Sequence, residues 1–216
     1  MGGPMTFGGI AVSGVISEGG ERLRAFLDGT HVETEWMANY HVVWQTGQRN
    51  GPAQGDPAHH THCSAYVAAV ALYLDIYALR PPNHGQLHLA NAQVHWFGGV
   101  GSHKGLTAAE AGWSSLGKSG DDGVLDAAIT AANAGKLVVA GYFQPPTRQA
   151  DGTQMEGTGH IVIVRPQESF PSDEGPQVAT AGVRNFKSTS TKFAFGDHPL
   201  AWPDNIQLYV HDTALE

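Results

Sequence analysis

A chain of 216 residues, 41% hydrophobic and 15% charged, is long enough to bury a core without staples and too apolar to remain disordered. Twelve Lys and Arg against twenty Asp and Glu give a net charge of -8, which argues against nucleic-acid binding and a polybasic membrane anchor, because both need a broad basic face. The single cysteine excludes an internal disulfide.

The N-terminal stretch MGGPMTFGGIAVSGVISEGG has no Lys or Arg before its mildly apolar part, so it does not read as a signal peptide. The expectation is a protein that is cytoplasmic as synthesised or exported by a signal-independent route. The longest apolar run, Tyr66 to Leu79, is too short to span a bilayer and carries Asp75. Residues 1–216 read as one domain, with 1–49 as an N-terminal extension.

Glu21 to Leu27 predicts a short helix and Tyr40 to Trp44 (YHVVW) a short strand. Gln45 to His62, polar and rich in Gly, Pro and His, reads as a loop. Val67, Val70, Ala71, Leu74 and Tyr77 or Ala78 then recur at helical spacing, with Thr61 as N-cap and Pro81-Pro82 as the stop, placing Cys63 in the first turn. Further helices are predicted over Leu87 to Phe97 and over Gly123 to Asn133, the latter capped by Asp121 or Asp122 and closed by Gly135.

Beyond this point the period changes to that of strands. Leu137 to Phe143 (LVVAGYF) and His160 to Arg165 (HIVIVR) read as buried strands joined by a Pro/Gly-rich loop. Pro166, Pro171 and Pro176 punctuate the next loop, and strands are predicted at Gln177 to Ala181 and Ile206 to His211. Helices followed by consecutive strands indicate an α+β fold with an antiparallel sheet.

A cysteine at a helix start lies in the partial positive charge of the helix end, which favours thiolate and lowers the pKa of a nucleophile. Taken alone, Cys63 is equally a small buried hydrophobe. His160 follows Gly157-Thr158-Gly159 and opens the strand Ile161-Val162-Ile163-Val164, which sets an imidazole at the end of the sheet. Taken alone it is one of twelve histidines.

Together, Thr61-His62-Cys63-Ser64-Ala65-Tyr66-Val67 and Gly159-His160-Ile161-Val162-Ile163-Val164 resemble the papain-like cysteine peptidase clan, in particular its NlpC/P60 and CHAP branches of cell-wall hydrolases. The runs Ala132 to Ala140, Pro176 to Gly182 and Ile206 to His211 are similar to amidase-type members of the group. The resemblance implies a Cys-bearing helix packed on an antiparallel sheet. It further implies a hydrolase cleaving amide bonds in peptidoglycan peptides, with Cys63 as nucleophile and His160 as general base. The family's third residue follows the His strand and is usually His, Asn, Asp, Glu or Gln. By position the match is Thr180, a departure from that pattern, with Gln177 and Asn185 as alternatives. Oxyanion stabilisation falls to the Cys63 N–H, with Gln54 or Asn50 as side-chain candidates.

Four other readings compete. His59, His60, His62 and Cys63 are zinc-ligand types, yet adjacent ligands on one loop rarely close a tetrahedron, so neither metal nor cofactor is expected. A permuted cysteine acyltransferase would use His41 in place of His160. A non-catalytic binding module would line a groove with Trp36, Trp44, Trp96, Trp113 and Trp202, residues that in a domain of this size more often anchor a core. The run Gly98 to Gly105 lacks phosphate-loop spacing and reads as a loop.

Overall fold

The computed structural model describes residues 10–12, 14–53, 61–86, 88–148, 150–171 and 173–216. The centre is a six-stranded antiparallel sheet built from β4 (Trp113–Lys118), β5 (Lys136–Tyr142), β8 (His160–Val164), β10 (Gln177–Thr180), β11 (Phe186–Ser190) and β12 (Gln207–Ala214), in the order β11-β10-β8-β5-β12-β4. Alternation of side chains divides two apolar clusters between its faces. Leu137, Val139, Ile161, Ile163, Ala179 and Tyr209 share the first with the helical layer. Val138, Ala140, Val162, Val164, Val178 and Leu208 lie in the second. Burial on both faces is the physical reason for the unbroken LVVA and IVIV runs.

Helix α2 (Cys63–Tyr73) packs on β8, flanked by α3 (Leu89–Phe97), and both contribute to the first cluster. Residues Cys63 to Ala71 are all buried, so α2 is apolar on every side rather than along one stripe. It also ends sooner than Pro81-Pro82 implied. Asp75 turns into the left-handed region at φ 57, and Ile76 N–H bonds Ala71 C=O while Asp75 N–H bonds Leu72 C=O. That Schellman closure, with Asp where Gly is usual, stops the helix at Tyr73 and lets Leu74 to Arg80 run on without helix.

On the other face, α4 (Val124–Asn133) inserts Val124, Ala128 and Ala132, and the short α5 (Thr191–Ala194) leads to Phe195. The N-cap of α4 is Gly123 at φ 75 rather than Asp121 or Asp122, because the Asp121 carboxylate accepts from Lys118 N–H instead.

The N-terminal segment joins the same core. Helix α1 (Glu18–Gly29), capped by the Ser17 hydroxyl on Gly20 N–H at 3.1 Å, buries Leu23 and Leu27. Buried Arg165, at the end of β8, donates to Asp28 of α1 at 2.8 Å. Thus the part of 1–49 from Glu18 onward is integral to the domain. The predicted loop after Trp44 holds a hairpin strand, since β2 (Tyr40–Val42) pairs with β3 (Arg49–Ala53). Two more short pairs join β1 (Ile10–Val12) to β9 (Ser169–Pro171) and β6 (Thr147–Arg148) to β7 (Gln154–Met155). Among the described residues no helix is long and apolar enough to cross a membrane.

Candidate active site

Cys63 is the first residue of α2 and is 4% exposed. Its sulfur sits against the N–H of Ile161 in β8, the N–H groups of Ser64 and Cys63, and the Thr61 hydroxyl, all of which favour thiolate. Burial outweighs them and pushes the thiol above its ordinary pKa. This corrects the lowered pKa expected from the helix end, a local effect that desolvation overrides. The cap also differs, because His62 occupies the N-cap position and its ring bonds Tyr40 C=O at 2.9 Å while Thr61 serves the sulfur.

Native Cys63 is accordingly expected to react with iodoacetamide at least about tenfold more slowly than the same cysteine in denaturant. Equal rates, followed by mass spectrometry at pH 8, would show that the thiol is open to solvent.

His160 is held from three sides. Its Nε2 lies 3.1 Å from Thr180 Oγ1, Phe195 meets the ring edge-on at 5.1 Å, and His198 lies nearly parallel at 5.6 Å. Burial first and the charge of His198 second pull its pKa down to about 3, so the ring is neutral at physiological pH. When Nε2–H donates to the Thr180 hydroxyl, Nδ1 keeps its lone pair for a proton.

The Cys63 sulfur and the His160 ring both approach the start of β8, but from opposite faces of the sheet. Cys63 belongs to the cluster under α2, whereas His160 rests on Phe195 of the opposite cluster. Among the described residues no hydrogen bond joins the sulfur to the imidazole. Beside His160 opens a cleft of about 1030 Å³, bordered by Thr61, Gln144, His160, Thr180, Phe193 and His198. Thr61 thus touches both the thiol and the cleft.

The backbone that presents His160 is fixed by α3. Asn91 donates to Gln144 C=O at 2.9 Å and to Gly157 C=O at 2.7 Å, and accepts from Gln144 N–H at 3.0 Å. Gly159 turns between them at φ 62, where a Cβ would stand 2.2 Å from Asn91 Oδ1. Nothing in the sequence singles out Asn91, because its partners lie more than fifty residues away. Asn91→Ala is expected to cost about 1–3 kcal/mol, since it leaves buried carbonyls and an N–H without their partner. Urea unfolding checks this, and an unchanged midpoint would show that the loop holds itself.

Of the alternatives to Thr180, Asn185 accepts from Gly182 N–H and donates to Val32 and Glu35 C=O, tying the loop after β10 to the α1 side. The Gln177 side chain accepts from Ser188. His41 is exposed on β2, and Asn50 is exposed on β3. Gln54, His59 and His60 lie outside the described residues, among which no group of three or more metal-ligating side chains forms. Trp36, Trp96 and Trp113 are buried in the first cluster, each donating its indole N–H to a backbone carbonyl. Trp44 packs against the first cluster and Trp202 against the second. No protein-family model and no curated protein matches the chain.

Proposed function

We propose that this chain is a cysteine hydrolase of the papain-like clan, of NlpC/P60 or CHAP type, that cleaves amide bonds in peptidoglycan peptides. The observation that carries the reading is the 3.1 Å contact between His160 Nε2 and Thr180 Oγ1, which supports it by giving the base a neutral hydroxyl partner where the family usually carries His, Asn, Asp, Glu or Gln. With Nε2–H committed to Thr180, Nδ1 takes the thiol proton as Cys63 attacks the carbonyl carbon, and the same proton then passes to the leaving amine. The resulting acyl-thioester is opened by water, again with His160 as base. In this reading the N–H groups of Cys63 and Ser64 beside the sulfur receive negative charge on the substrate oxygen. The peptidoglycan substrate rests on the resemblance of the Cys63 and His160 motifs.

Because thiol and imidazole are both neutral at rest, attack requires the proton to move as the bond forms. The buried thiol and the missing sulfur–imidazole hydrogen bond favour a second reading, a papain-like module that binds cell-wall peptides without turnover. Release of new amino groups from purified peptidoglycan, scored against Cys63→Ala, separates the two. Release by wild type alone, unaffected by a chelator, supports the hydrolase. Binding by both proteins with release by neither overturns it.

A further inference from the structure

The stack on His160 supplies a residue that no motif marks. His198 follows α5, borders the cleft, and lies nearly parallel to His160 at 5.6 Å with an interplanar angle of 17°. His160 is then enclosed by Thr180 at Nε2, Phe195 at its edge and His198 over its face. Gly182 completes the enclosure, because a Cβ there would sit 3.4 Å from His160 Cε1.

We propose that His198 is a positioning residue for His160, its ring closing the cleft-side face of the base and holding Nε2 on Thr180. The inference rests on the reading of His160 as the general base, although its test needs no turnover.

The arrangement couples the two rings chemically. Two imidazoliums stacked this closely repel each other, so protonating one ring suppresses protonation of the other. His198 is the less buried ring, partly open at the cleft; its own burial holds its pKa below the ordinary histidine value, and Asp197 beside it offsets only part of that. Tyr142 of β5 meets its ring at 5.7 Å, while Glu174, Arg184 and Lys192 border the same cleft. A proton arriving from solvent is therefore directed to His198 in preference to His160. In a hydrolase this keeps the base neutral as pH falls.

The experiment is nitrogen-15 NMR of the histidine rings in folded wild type, His198→Ala and His198→Phe, recorded across pH without substrate. Wild-type His160 should hold a single tautomer with Nε2 protonated down to about pH 4, in keeping with its low pKa. His198→Ala should mix the tautomers and raise the His160 midpoint by about half a pH unit or more. His198→Phe, which restores a stacked ring without charge, should recover the single tautomer. An unchanged tautomer and midpoint in His198→Ala would overturn the proposal, as would equal tautomer mixing in both variants. None of these outcomes depends on amide cleavage, so a binding module fails the hydrolase assay without deciding the role of His198.

Discussion

Replacing Cys63 or His160 with Ala is expected to lower amide cleavage by on the order of 10⁴-fold or more, and the double variant should be scarcely worse than either. Nucleophile and base work as one unit in this scheme, because the neutral thiol attacks only as His160 removes its proton. Thr180 belongs to a different class. It offers a neutral acceptor, so removing its hydroxyl forfeits a hydrogen bond and strands the buried Nε2–H, together about 1–3 kcal/mol, or roughly 10- to 100-fold in rate. Thr180→Val keeps the shape of a side chain that is 2% exposed and isolates that hydroxyl. If Thr180→Val proves as inactive as His160→Ala while remaining folded, the hydroxyl does more than orient the ring. If all three variants equal wild type, the cleavage belongs to other groups.

Acid should weaken the fold through His160. The folded pKa of about 3 lies below the ordinary histidine value of 6.5, so between these limits the unfolded chain binds a proton that the folded chain refuses. Stability from this group is complete above pH 6.5, is lost as pH falls, and reaches its full loss near pH 3. At about 1.4 kcal/mol per unit, the loss is on the order of 5 kcal/mol, a large share of the ~5–15 kcal/mol that holds a typical domain. Burial of Cys63 acts at the other end of the scale, where alkaline ionisation of the thiol is resisted by the fold. Urea titrations of wild type and His160→Gln at pH 7 and pH 4 isolate the histidine contribution. The variant should lose less stability on acidification, and parallel losses would mean that His160 accepts its proton inside the fold without penalty.

The parts of this molecule that were readable from sequence are those specified by neighbouring residues. The runs Leu137 to Ala140 and Ile161 to Val164 declare buried strands because helices cover both sheet faces. Cys63 and His160 are legible because a helix start and a strand start each leave a short signature, and Thr180 follows from its place on the next strand. Strands β3, β4 and β11 left no such trace. Their sequences RNGPA, WSSLGK and FKSTS are mostly polar or exposed, and pairing partners rather than apolar alternation hold them in place. The end of α2 was hidden because Asp75 adopts a backbone conformation more typical of glycine. His198, Phe195 and Asn91 reach the site only through tertiary packing, and the upward shift of the thiol has the same origin, since the degree of burial at Cys63 is decided by elements distant in the chain.

The placement of β12 between β5 and β4 has a consequence for biosynthesis. During translation β5, β8 and β10 emerge together and pair with one another, but the strand that belongs on the free side of β5 is synthesised last of the six. Until then β5 presents an open row of peptide groups beside apolar side chains, a template for pairing with other nascent chains. Ribosome-bound chains halted before Gln207 are therefore expected to aggregate more readily than the complete chain. Cells expressing the chain at high rates should deposit it in inclusion bodies more readily than slow producers do.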